Sequence, residues 1–288
     1  MQSYLAIVNK VLKEGRKKIN RTGVETIALP GACFEHDMNE GFPLLTTKRI
    51  PFRLISSELE FFIKGITDKN WLIERNNHIW DDWCRPDIIP YGIDEITKSR
   101  MKKENDLGPI YGWQWRNFGA EYTTFNEKPN IKGIDQLQNL VKKLKTSPDD
   151  RGMIVLAWNP VDLEKMALPP CHFSFQVTVI SKRLNLLWNQ RSVDIALGLP
   201  FNIASYGLLL HLLARDAELE PGKLVGFLGD THIYTNHIDG LKNQMNREPF
   251  HLPQIQTIGP ISIFEWEYVN SYVLDYNHHP SIKFEIAV

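Results

Sequence analysis

Apolar positions recur at helical spacing near the start of the chain. Leu5, Val8, Val11 and Leu12 form one stripe, and Gly15 stands as its stop. A second helix is predicted over 52–63, apolar on most faces and closed by Gly65. A third spans 134–144, where Ile134, Leu137, Leu140, Val141 and Leu144 share one face. A fourth, 201–214, is apolar nearly all round and so predicts a buried helix. The pattern switches to alternation at 172–180, where Phe173, Phe175, Val177 and Val179 alternate with His172, Ser174, Gln176 and Thr178. This period of two predicts a strand, with a turn at 181–183 and a return strand over 184–189. The polar stretch 85–105, with Pro86, Pro90 and Gly92, reads as a surface insertion. No repeat, low-complexity tract or Ser/Gly linker divides the chain. The expected architecture is a single α+β domain over 1–288, with a mixed β-sheet packed by helices.

Composition narrows the class. The 288 residues can bury a large core, and 43% of them are hydrophobic. Lys and Arg total 33 against 34 Asp and Glu, so no global charge pulls the chain onto nucleic acid or an anionic membrane. No apolar run matches a bilayer span. The opening stretch reads as an amphipathic helix rather than a signal peptide. With three cysteines, an odd and sparse count, this points to a reducing, cytoplasmic compartment. No CxxC, HExxH, GxGxxG or phosphate-loop pattern occurs. Metal, nicotinamide and ATP chemistry are therefore not expected, and His278-His279 reads as an exposed pair.

The hairpin carries the chemistry. A turn at 181–183 would set Cys171 opposite 193–194. Cys171 and the stretch Gln190-Arg191-Ser192-Val193-Asp194 would then meet at the open end. A guanidinium beside a thiol favours the thiolate, which is the nucleophile. The plainer reading of Cys171 is an inert buried cysteine. Arg21, Arg151 and Arg191 are natural phosphate binders, or else solvated surface arginines. Asn202 opens the predicted buried helix. It is either a helix cap or an amide offering donor and acceptor to a pyrimidine edge. Glu58 and Glu60 lie in an apolar helix. One should face water, and the other then needs a partner or a proton-handling role. His232 and Tyr234, two apart, fall on one side of a strand-like stretch.

Several long stretches in order resemble the thymidylate synthase family from end to end. The most specific is Met166-Ala167-Leu168-Pro169-Pro170-Cys171-His172. Next are Gln190 to Asp194 and Gly198-Leu199-Pro200-Phe201-Asn202-Ile203-Ala204-Ser205-Tyr206. Asn20-Arg21-Thr22-Gly23, Ile79-Trp80-Asp81-Asp82-Trp83, Asp106 to Gly112, Gly229 to Tyr234 and the final Ile286-Ala287-Val288 add to them. The resemblance implies conversion of dUMP and 5,10-methylene-tetrahydrofolate to dTMP and dihydrofolate through a Cys171 adduct at carbon 6 of the uracil. Arg21, Arg191 and Ser192 would hold the phosphate, joined by Arg151 of the other subunit. Gln190 and Asp194 would also contact substrate. Asn202 would read the pyrimidine edge, and His232 and Tyr234 the deoxyribose hydroxyl. Asp194 would anchor the pterin. Ile79, Trp80, Trp83, Leu168, Gly198 and Phe201 would wall the folate cavity, with Lys48 at its glutamate tail. Glu58, Tyr111 and His172 would handle protons, and Val288 would close over the site. The resemblance further implies a homodimer formed through the sheet.

Two positions depart from the family pattern. Gly152 follows Arg151 where two arginines are common, which removes one cross-subunit phosphate contact. Pro51 stands where some members carry a histidine. The nearest rival is a dUMP hydroxymethylase on the same scaffold. Trp80 and the intact C-terminal residues favour hydride transfer, because the folate must stay stacked and dry. A non-enzymatic RNA-binding protein on this fold is a rival of another class, which the charge balance does not support.

Overall fold

The computed structural model describes residues 1–20, 22–129 and 132–286. The sites expected at Arg21 and Val288 lie outside the described residues. The first predicted stripe is a helix, α1 (Gln2–Glu14), which buries Tyr4, Ile7, Val8 and Val11. Gly15 ends it through close approach, not a left-handed turn. Its φ is −58°, and an added Cβ would come within 2.4 Å of the Val11 carbonyl oxygen. Three strands follow: β1 (Arg16–Lys18), β2 (Thr26–Leu29) and β3 (Ala32–Asp37). Then come α2 (Phe52–Ile63), the short α3 (Asn70–Ile73), α4 (Glu95–Lys103), α5 (Tyr111–Asn117) and α6 (Gln136–Thr146).

The 85–105 stretch lies mostly at the surface, as expected, and carries a helix: Asp94 caps α4, its side chain accepting from Thr97 N, and Met101 packs with Cys84 and Ile89 in a small core of its own. Two other expectations are corrected. The third helix starts later than its apolar stripe suggests. Ile134 is 58% exposed and pairs with Phe118, while Asp135 caps α6 by accepting from Gln138 N at 2.9 Å. His278 and His279 are half-buried, and His279 Nε2 lies 2.8 Å from the Glu248 carbonyl.

Beyond α6 the chain forms β4 (Ile154–Leu156), β5 (His172–Ile180), β6 (Arg183–Asp194), α7 (Gly198–Asp216), β7 (Glu220–Tyr234) and α8 (Ile238–Met245). A separate ribbon, β8 (Gln254–Thr257) with β9 (Ser271–Leu274), completes the elements. The main sheet runs β1-β2-β7-β6-β5-β4, with β3 also on β7. It is mixed. β6 and β7 are parallel, and every other pairing is antiparallel. Parallel neighbours need a crossover, and the buried helix α7 supplies it.

The β5–β6 hairpin turns on two residues, not three. Ser181 and Lys182 have φ of 52° and 63°, the mirror-image turn whose twist matches the strands. An irregularity between His172 and Ser174 then shifts the register, so His172 pairs with Gln190. Cys171 therefore meets Arg191, not 193–194, and Arg191 N donates to the Cys171 carbonyl at 2.8 Å.

One face of the sheet packs on α7. Trp188 stacks on Tyr206 with centroids 5.4 Å apart and planes within 8°. Gly226 permits this, since a Cβ there would fall 2.3 Å from the indole. Leu199, Leu208, Leu209, Leu210 and Leu213 of α7 are fully buried, each contributing about 1.5–3 kcal/mol relative to exposure. The core runs without a break from Tyr4 to Phe284. Among the described residues, no helix is long and apolar enough to cross a membrane.

Candidate active site

Topology explains why distant residues meet. Because β6 and β7 are parallel, their C-terminal ends lie at one edge of the sheet. Antiparallel β5 brings its N-terminal end to the same edge. His172 pairs with Gln190, Ser192 with Asp230 and Asp194 with His232. α7 begins there too, immediately after β6. Cys171–His172, Gln190–Asp194, Gly198–Asn202 and Asp230–Tyr234 thus converge.

Cys171 is half-buried at this edge. Arg191 Nη2 stands 3.9 Å from its Sγ. The guanidinium is fixed by the Pro169 and Pro170 carbonyls, at 2.8 and 2.9 Å, and lies over the Trp158 ring. Two rigid prolines thus set both the thiol and the cation beside it. The Cys171 N–H donates to Tyr111 Oη at 2.8 Å. Tyr111 in turn stacks on His172, centroids 4.3 Å apart. His172 Nδ1 lies 2.9 Å from Tyr206 Oη. Burial lowers the His172 pKa to about 3, so the ring is neutral. Burial also raises both tyrosines well above their usual range, which keeps their protons on.

Asn202 is not the helix cap. α7 starts at Gly198, so Asn202 lies inside its first turns. No side chain caps α7; Asp194 instead closes the turn before it, its Oδ1 accepting from Ala196 N at 2.8 Å and Leu197 N at 3.3 Å. Asn202 Oδ1 accepts from Gln190 Nε2 at 3.0 Å, and Gln190 Oε1 accepts from Trp188 Nε1 at 3.1 Å. That chain of amides orients Asn202 from the core outward. An added Cβ at Gly198 would make only ordinary contact with Asn202 and Asp194.

Neither helix glutamate faces open water. Glu60 is 2% exposed, pairs with Lys64 and accepts from Tyr268 N at 2.7 Å. Glu58 keeps some surface but is densely surrounded, and its Oε1 accepts from Trp80 Nε1 at 2.8 Å. Burial raises its pKa to about 7, against the opposing pull of that bond. Trp80 packs edge-on against both Trp83 and Tyr111, at 6.1 and 6.2 Å. Ile79, Trp83, Leu168 and Phe201 stand half-buried around the same core. Lys48 is turned inward, bonded to the Ala196 carbonyl, and burial lowers its pKa to about 8. His232 Nδ1 lies 3.1 Å from Asp230 Oδ1, and Lys18 pairs with the same carboxylate. Tyr234 meets His232 edge-on at 5.3 Å. Arg151 is exposed on the turn leading into β4.

Two side chains at the site escaped the sequence reading as functional candidates. Tyr206 had a signal, four residues after Asn202 on one helix face. Trp158, which covers Arg191, had none. Among the described residues, no group of three His, Cys, Asp or Glu side chains is placed to hold a metal.

Comparison with known proteins gives the arrangement its relatives. The profile of thymidylate synthase matches residues 2–288. The bifunctional dihydrofolate reductase-thymidylate synthase of Paramecium tetraurelia is 41% identical over 286 residues, covering 99% of this chain and 61% of that protein. The protein of the same description from Leishmania major is 43% identical over 297 residues, covering 100% of this chain and 55% of its own length. The chain therefore spans a little over half the length of these relatives. A match over nearly every residue of the chain, at this identity, settles its kinship: the chain belongs to the thymidylate synthase family.

Proposed function

We propose that the chain converts dUMP and 5,10-methylene-tetrahydrofolate to dTMP and dihydrofolate. The observation that carries this reading is Cys171 Sγ 3.9 Å from the Arg191 guanidinium, beside the oriented Asn202 amide. The Cys171 thiolate adds to carbon 6 of the uracil, and carbon 5 becomes the nucleophile toward the methylene carbon. Arg21, Arg191 and Ser192 hold the phosphate, and His232 and Tyr234 hold the deoxyribose hydroxyl. Asp194 receives the pterin. The half-buried apolar wall of Ile79, Trp83, Leu168 and Phe201, with Trp80 behind it, suits a flat aromatic substrate. Lys48 at the folate tail and Val288 over the site complete the assignment. Glu58, poised near neutrality, moves the proton. Three cysteines, an odd and sparse count, support a reducing, cytoplasmic location. Product mass is the direct test. Incubation of the chain with both substrates should give a methyl product. A hydroxymethyl product would establish the rival reaction instead.

Asn202→Asp should shift binding preference from dUMP toward dCMP. An aspartate can still accept from Gln190, so its placement persists while the amide donor is lost. Competitive binding of the two nucleotides measures this. An unchanged ratio would remove Asn202 from pyrimidine recognition.

The reading includes a two-fold dimer with shared sites. The outward sheet face supports it: Ile154, Leu156 and Phe227 are 46%, 38% and 47% exposed, and Leu187 pairs with Val225 between them. Gln176 of that face donates to the Arg151 carbonyl at 3.2 Å, so Arg151 lies beside the face. With Gly152 next to it, Arg151 carries the cross-subunit charge alone. Arg151→Ala should weaken dUMP binding about ten- to a hundredfold, the worth of one charge-assisted contact. Mixing Cys171→Ser chains with Arg151→Ala chains should restore activity, since one heterodimer site regains both residues. Heterodimers that form yet stay inactive would place Arg151 within its own chain's site.

A further inference from the structure

Lys69 is a charged residue with 0% exposure. Its ammonium has three N–H donors, and three main-chain carbonyls receive them: Met101 at 2.8 Å, Trp83 at 3.2 Å and Asp81 at 3.4 Å. A buried charge is tolerated when its donors are met in this way. Two of the acceptors sit on the turn that carries Trp80 and Trp83, closed by Trp83 N on the Trp80 carbonyl at 3.1 Å. The third lies in the last turn of α4, where a cation also suits the negative end of the helix dipole. One side chain thus joins the wall of the site to the 85–105 insertion.

Further contacts stiffen that joint. Lys69 N donates to the Asn105 carbonyl at 2.7 Å, so the same residue holds the insertion's exit by its backbone. Arg85, at the entrance, donates to Asp106 Oδ2 at 3.1 Å and to the Thr123 carbonyl at 2.7 Å. Between these ends Cys84, Ile89 and Met101 close their small core. On the site side of the turn, Trp80 Nε1 donates to Glu58 at 2.8 Å, and Trp83 packs edge-on against Trp80. The place of the indole, and of its bond to Glu58, therefore follows from the place of the turn.

We infer that Lys69 is a positioning residue, using the insertion as a brace to hold the Trp80–Trp83 turn against Glu58 and the folate wall. The inference rests on the proposed roles of Glu58 and of that wall. If Lys69 merely filled its site, an apolar chain of similar length would leave the indole where it is.

Lys69→Met makes that change. The readouts are solvent exchange of the Trp80 indole proton, whose resonance is assigned by its loss in Trp80→Phe, and tetrahydrofolate Kd at saturating dUMP. In Lys69→Met the indole proton should exchange about tenfold faster, and tetrahydrofolate Kd should rise about tenfold, the loss expected from one charge-assisted contact. The dUMP Kd should stay within about twofold. Asp94→Ala covers the case of a Lys69 variant that does not fold. It keeps Lys69 and uncaps α4 at its exposed start, and should move both readouts the same way by about threefold. A Lys69→Met chain with the indole exchange of wild type would overturn the inference, as would faster exchange with an unchanged tetrahydrofolate Kd. So would an Asp94→Ala chain whose α4 amides exchange faster while both readouts stay put. Neither readout needs turnover. A wild-type chain that binds tetrahydrofolate but makes no thymidylate would count against the proposed reaction alone.

Discussion

Cys171→Ser is expected to lower dTMP formation by at least about 10³-fold while leaving the fold intact, since removal of a nucleophile deprives every later step of its intermediate. The substitution replaces sulfur by the smaller oxygen at a half-buried position. The backbone contacts to Tyr111 and Arg191 involve the Cys171 N–H and carbonyl, so they survive. What is lost is ionisation. A guanidinium 3.9 Å away favours the thiolate over the thiol, but a serine hydroxyl lies too far from ionising for one cation to bring it there. Initial rates by product mass, with thermal unfolding as the control, decide the point. A serine variant within tenfold of wild type would rule out the covalent route.

The second large effect falls at Glu58. Glu58→Gln should slow turnover about 10²- to 10⁴-fold, the usual contribution of one positioned acid or base. The amide oxygen can still accept from Trp80 Nε1, so the local geometry stays and the exchangeable proton goes. Wild-type rate should show an inflection near pH 7 that the variant lacks. Stability gives an independent check with a fixed sign. The carboxyl pKa is raised from 4.5 to about 7 by burial, so between these values the folded state holds a proton that the unfolded state has released. Wild-type stability therefore falls as pH rises through this window, and the loss is complete above it. The size is at most about 3 kcal/mol, at 1.36 kcal/mol per unit. Glu58→Gln should be free of that slope, and so should gain stability relative to wild type at pH 8 compared with pH 5. Denaturant unfolding at the two pH values measures it. An inflection that persists in Glu58→Gln would assign it to another group.

By itself the sequence determined what local physics controls. The 3.6-residue stripes of α1 and α2 and the alternation of β5 are periodic over many residues, so burial acts on each independently of the rest. Residue types around Cys171, Arg191 and Asn202 left inert and functional readings side by side, and it was the resemblance of the long motifs to the thymidylate synthase family that supplied the roles expected of them. Register was beyond its reach. One residue more or less in the turn at Ser181-Lys182, and one irregularity near His172, moved the partner of Cys171 to Arg191, since pairing counts residues and not hydrophobicity. Helix starts escaped for the same kind of reason. Asp194 closes a turn that lets α7 begin at Gly198, which moved Asn202 from cap to interior, where Gln190 orients it. Only the tertiary structure could set the Glu60 carboxylate against Tyr268 N, 208 residues away, or bring His237 between Glu285 and Asp194. A buried polar group draws its properties from partners distant in the chain, and no local pattern encodes those partners.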